Sequence, residues 1–136
     1  MNRRQKMENI IIGTLLESQS GDNYFTECGM LTPDMFLDDT NREIFGLVSE
    51  MNTKGLCDTT PYDIFMEYEA RVAGLVARMC ELVTDFSFTK LKAQYNEKCF
   101  LADAIFQVAI QPTEVKFVDY VNRFIKMVFN YEENRE

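Results

Sequence analysis

Apolar residues recur along most of this chain at helical spacing. In ENIIIGTLLES and its lead-in, Met7, Ile10, Ile11, Ile12, Leu15 and Leu16 give a helix over 3–18. Its apolar face is wide enough to be buried by more than one neighbour. Ser20-Gly21-Asp22-Asn23 has the chemistry of a turn, and Tyr24, Phe25 and Cys28 suit a short helix ended by Gly29. The stretch 31–55, LTPDMFLDDTNREIFGLVSEMNTKG, is the one around which the rest is expected to be organised. Thr32 and Pro33 make a short helical start, and Asp38, Asp39 and Thr40 offer a second cap. Ile44, Phe45, Leu47, Val48 and Met51 then form one face, opposite Arg42, Glu43, Glu50 and Asn52. Gly55 closes the helix as a left-handed cap.

The polar loop 57–60 leads to Thr60-Pro61, an N-cap and first-turn pair that opens a helix with Ile64, Phe65 and Tyr68 inward. A further helix is predicted over 72–83, where Gly74 marks a close helix contact. Asp85-Phe86-Ser87 breaks the pattern. Phe88, Leu91, Tyr95, Cys99, Ala102, Phe106 and Ala109 step along a long helix over 88–110, and Gln111-Pro112-Thr113 turns the chain. The last helix, 113–131, carries two stripes: Phe117, Val121, Phe124, Val128 and Tyr131, then Val118, Ile125 and Phe129. Nothing alternates with period two over a useful length. The pattern predicts an all-α protein, a compact multi-helix bundle followed by a C-terminal helical hairpin. Residues 1–85 form the globule, and 86–136 pack with it in a single domain.

Composition narrows the function. The 136 residues are 46% hydrophobic and 12% aromatic, which suits one packed domain. A net charge of -8 repels a nucleic-acid backbone. Only Arg3, Arg4 and Lys6 are locally basic, and such tips are usually solvated. No apolar run approaches membrane-spanning length and no signal peptide is visible, so the cytoplasm is the expected compartment.

The four cysteines, Cys28, Cys57, Cys80 and Cys99, have no CxxC spacing, and the chain has no His to complete a zinc set. They are expected to be buried free thiols. There is no P-loop, GxGxxG, GxSxG or HExxH. Asp34, Asp38 and Asp39 suit helix capping, Glu67 and Glu69 diverge on a helix, and Glu8 and Glu17 look like ordinary surface charge. No catalytic, metal or cofactor residue is assigned, and no direct nucleic-acid or membrane ligand is expected.

The order ENIIIGTLLES, LTPDMF, DTNREIFGLVSEMNTKG and TTPYDI resembles the N-terminal domain of DnaB-type replicative helicases. Glu8, Ile11, Ile12, Gly13, Leu15 and Leu16 match that family's early helix. Leu31, Phe36, Arg42, Ile44 and Phe45 match its Leu-x-x-x-x-Phe step and the basic residue followed by Ile-Phe. LVARMCELVTDFSFTKLKAQYNEKCFLADAI resembles its Leu-rich helix, short turn and Tyr-bearing helix. The likeness covers 7–106.

It implies a non-catalytic interaction and oligomerisation module, one that forms a collar through paired hairpins and docks primase or a helicase loader. The family's ATPase domain is absent and its usual Gly-Gly pair is reduced to Gly74, so the chain is expected to be an excised domain or a free-standing relative. A stand-alone adaptor regulating another assembly is the alternative. A homodimer is expected through Val118, Ile125 and Phe129, a stripe that would otherwise face water or pack on the globule.

Overall fold

Asn2 starts the first helix, its side chain accepting the Gln5 N–H at 2.7 Å. The helix, α1, runs Arg3–Leu16. The computed structural model describes residues 2–17, 29–55, 60–90 and 117–134, and this part of the molecule is all-α. A three-residue 3-10 turn, Pro33–Met35, is followed by α2 (Asp39–Thr53), α3 (Pro61–Val72), α4 (Val76–Phe86) and α5 (Phe117–Asn134). Residues 88–90 are also helical.

The organising element is α1 rather than the stretch 31–55. Every residue from 7 to 16 is buried, because α1 packs most extensively on α4 and also meets α2 and α5. A helix covered on several sides must be apolar almost all round. The Ile44, Phe45, Leu47, Val48 and Met51 face of α2 joins Ile11, Leu15 and Leu16 in the same core. Phe36, just after the 3-10 turn, stacks with Phe45 at 4.8 Å and with Phe124 of α5 at 5.5 Å. Three segments thus share one aromatic cluster.

The first stripe of α5 is buried at Phe117, Val121, Phe124 and Val128, together with Tyr120, which lies beside it; the Tyr131 side chain and the long helix beyond 90 lie outside what is described. Phe88 meets Phe117 and Tyr120 at 5.8 and 5.9 Å.

The caps written in the sequence form with one exception. Asp38 accepts the Asn41 N–H at 2.9 Å, and Gly55 adopts φ +86° after α2. Thr60 and Asp63 build a reciprocal capping box at the start of α3. Thr32, by contrast, makes no side-chain cap bond; a turn of three residues needs only the backbone bonds Met35 N–H to Thr32 O and Phe36 N–H to Pro33 O.

The helix expected over 72–83 is divided otherwise. Val72 ends α3, residues 73–75 turn, and α4 starts at Val76. The apolar period runs unbroken across this corner because both helices bury the same side. Inside α3, Tyr68 leaves helical geometry at φ -126°, ψ 36°. Phe65 and Tyr68 are half-buried, less than the inward positions assigned to them. The expected turn at 20–23, the short helix of Tyr24, Phe25 and Cys28, the loop at 57–59, the helix beyond 90 and the turn at 111–113 lie outside the described residues.

Gly74 does not mark a helix contact, since nothing lies within 4 Å of where its Cβ would be. The close approach is at Gly13. A Cβ there would run into the Leu82 carbonyl, whose carbon would lie at 3.1 Å, and into Ser87 N at 3.2 Å. Backbone on both sides leaves nothing that can rotate away. Gly13→Ala is expected to destabilise by about 1–3 kcal/mol through overpacking, whereas Gly74→Ala should be neutral or stabilise by up to about 1 kcal/mol. Chemical denaturation of the two variants checks this, and equal midpoints would contradict it.

Candidate functional site

Glu8 is the most informative polar residue of the structure. It is 1% exposed, which corrects its assignment as surface charge. Its Oε2 accepts the Leu37 N–H at 2.9 Å, and its Oε1 accepts the Asp38 N–H at 3.3 Å and an Asn41 Nδ2 proton at 3.4 Å. Arg4, one turn earlier on α1, brings Nε to 3.8 Å and donates through Nη2 to the Met35 carbonyl at 2.8 Å. Arg4 is therefore tied into the fold, and the basic tip is not simply solvated.

On the other side of the same turn, Arg42 donates to the Phe36 and Leu37 carbonyls at 3.2 and 3.4 Å and to Asp39 at 2.9 Å. A carboxylate holds the N–H groups of the turn before α2, and a guanidinium holds its carbonyls. Buried polar groups persist only when satisfied in this way.

Two further polar residues on α1 fix its other neighbours. Asn9 Oδ1 accepts from Asn41 of α2 at 2.9 Å and from Arg78 of α4 at 3.0 Å. Thr14 donates to the Ile10 carbonyl and accepts the Phe88 N–H, both at 2.7 Å, so it caps the helical residues after Ser87 from within the core. Glu8, Asn9 and Thr14 thus lock three partners onto one helix. Among the described residues no group of three His, Cys, Asp or Glu side chains could hold a metal.

A second cluster surrounds Tyr68 at the irregular point of α3. Lys54 Nζ lies 4.8 Å and the Arg71 guanidinium 5.1 Å from its ring centre. Lys54 pairs with Glu67 at 2.9 Å and Arg71 with Glu50 at 3.2 Å. The hydrogen bond from Arg71 holds the Glu50 carboxyl below its ordinary range, and the bond to Glu67 holds the Lys54 ammonium above its own. These pairs tie the end of α2 to α3 at the surface.

The predicted interface residues fall unevenly. Phe129 is 49% exposed, Val118 is half-buried, and Ile125 packs in part against the core. The water-facing patch is therefore narrower than the full stripe. Of the cysteines, Cys80 is exposed rather than buried, and Cys28, Cys57 and Cys99 lie outside the described residues. Among the described residues no helix is long and apolar enough to cross a membrane. No protein-family model matches the chain, and no curated protein or solved structure is significantly similar to it.

Asp38 links capping to pH. Burial pushes its carboxyl up, but the Asn41 N–H, the Gln5 side chain, the Arg78 charge and the Thr40 N–H together hold it below the usual aspartate range. A depressed folded pKa gives stability that is complete above the unfolded value, about 3.9, and is lost as pH falls through the folded one. Asp38→Asn retains a capping oxygen without the charge. The difference in melting temperature between wild type and variant should be largest near neutrality and shrink below about pH 4. A difference that stays constant into acid would contradict the assignment.

Proposed function

We propose that this chain is a non-catalytic protein-interaction and oligomerisation module of the replicative-helicase N-terminal type. It pairs with a second copy of itself and docks primase or a helicase loader in the cytoplasm. The observation that supports this is where the helicase-like residues sit. Glu8 and Arg42 close on the same turn from opposite sides. Phe36, at the end of the Leu-x-x-x-x-Phe step, stacks on Phe45, while Leu31, Ile11, Ile12, Leu15, Leu16 and Ile44 share its core. Gly13 takes the one spacing that lets α4 come close.

These residues, separate in sequence, serve one structural unit, as an order that resembles the helicase domain would require. A fold that spends its polar groups on holding helices together leaves its surface to do the work. On α5 that surface is centred on Phe129, with Val118 and Ile125 beside it.

Two measurements test the reading. Wild type should sediment as a dimer at tens of micromolar. Phe129→Glu should be monomeric with an unchanged melting temperature, since it places charge at an exposed interface position. A monomeric wild type removes the dimer. Calorimetric titration with the C-terminal helicase-binding domain of primase should show micromolar binding. A dimer with no such binding favours the stand-alone adaptor instead.

A further inference from the structure

α3 is held differently from the other helices. Of its twelve residues only Ile64 and Val72 are buried, with Phe65 and Tyr68 partly packed on the core. Its main neighbours are α2 and α4 rather than the enclosed α1. It is also not one rod. Tyr68 leaves helical geometry, so a first piece, opened by the Thr60–Asp63 capping box, meets a short second piece at that residue. Helical pieces shorter than about 12 residues do not sustain themselves in water. Each depends on what it is packed or bonded against.

The bonds are ionic, and they gather at the break. Glu67, immediately before Tyr68, pairs with Lys54 at 2.9 Å, and Arg71, three residues after it, pairs with Glu50 at 3.2 Å. Glu50 lies in the last turn of α2 and Lys54 caps its end. Both cations also face the Tyr68 ring, at 4.8 and 5.1 Å from its centre. The end of α2 thus grips α3 on both sides of the break. All four charged side chains are between 44% and 52% exposed, where dissolved salt reaches them.

We propose that this network is an ionic latch: α3 opens as a unit, at a frequency set by ionic strength, while the packing of α1, α2, α4 and α5 stays closed. The contacts that hold those four helices together are of another kind. Glu8 and Asn9 bond to α2 and its preceding turn from buried positions, and Gly13 seats the backbone of α4. Salt does not reach into such contacts. Opening of α3 uncovers Ile64 and Val72 and the surface beneath them, so the latch couples the surrounding salt to the exposure of apolar area. The device is separate from the α5 stripe and does not depend on the helicase-type reading.

The sign of the salt effect is diagnostic. A chain of net charge -8 repels itself, and screening relieves that repulsion, which favours the closed fold as a whole. A latch of opposite charges is weakened by the same screening.

Native-state hydrogen exchange of the full chain, followed by NMR at about 0.05 M and about 1 M NaCl, separates the two. At the higher concentration the screening length falls to about 3 Å, comparable with the pair distances. At low salt the α3 amides should exchange roughly tenfold or more faster than those of residues 7–16. At high salt they should speed up by about threefold, while the α1 amides are unchanged or slower. Glu50→Gln with Lys54→Gln breaks both pairs and leaves the net charge as it was. This variant should show about the high-salt α3 rates already at low salt, with little further response to salt and with α1 unaffected. Exchange of α3 and α1 at one common rate would overturn the proposal, since it makes them a single cooperative unit. Slowing of α3 by salt, or a salt response as large in the double variant as in wild type, overturns it equally.

Discussion

A single carboxylate sets the relation between the first two helices. Glu8 is buried in the side of α1 and takes the N–H groups of residues 37 and 38, which the turn before α2 leaves without carbonyl partners. In an apolar interior an unsatisfied amide costs about 1–3 kcal/mol, so the turn can dock only where such an acceptor waits for it. Arg42 then secures the carbonyls of the same turn. With both rows of backbone groups satisfied, Phe36 is delivered to the core between Phe45 and Phe124.

The remaining helices follow from the burial of α1. Because it is enclosed on several sides, each neighbour needs something beyond apolar area to fix its position along the helix. Shape does this for α4, whose Leu82 backbone fits only against a glycine at position 13. Asn9 adds a polar link to α2 and α4, and Thr14 fixes the start of the next helix through the Phe88 N–H. Hydrophobic burial supplies the bulk of the stability, while these few directional contacts choose one packing among many.

The parts of this structure legible in the sequence were local ones. Asp38, the Thr60-Pro61 pair and Gly55 declare themselves because a cap bonds its own helix within a few residues, although the reciprocal bond from Asp63 was not read. The core face of α2 and the first stripe of α5 are legible for the same reason, since periodicity is a property of one segment. Glu8 was not, because its partners stand about thirty positions away in a turn whose path depends on the fold. A signal existed: on a helix, Glu8 falls between Leu15 and Ile12, inside the apolar arc rather than on its border. Gly13 and Gly74 were confused because glycine records a need for space without saying where that space is. The corner at 73–75 was hidden by an apolar period that both flanking helices share. Of the candidate interface, helical spacing marked the α5 stripe, but how far Ile125 turns towards the core depends on its neighbours.

The claim on which the account rests is that the Glu8 carboxylate holds the Leu37 and Asp38 amides. Leu37 is 55% exposed, and an amide in such a turn would ordinarily exchange with solvent readily. Native-state hydrogen exchange by NMR, on wild type and Glu8→Gln, addresses the point directly. Both amides should be protected in wild type as strongly as the core of α1, and protection should fall selectively at these two positions in the variant. Exchange of Leu37 and Asp38 at the rate of an open loop in wild type would contradict the account.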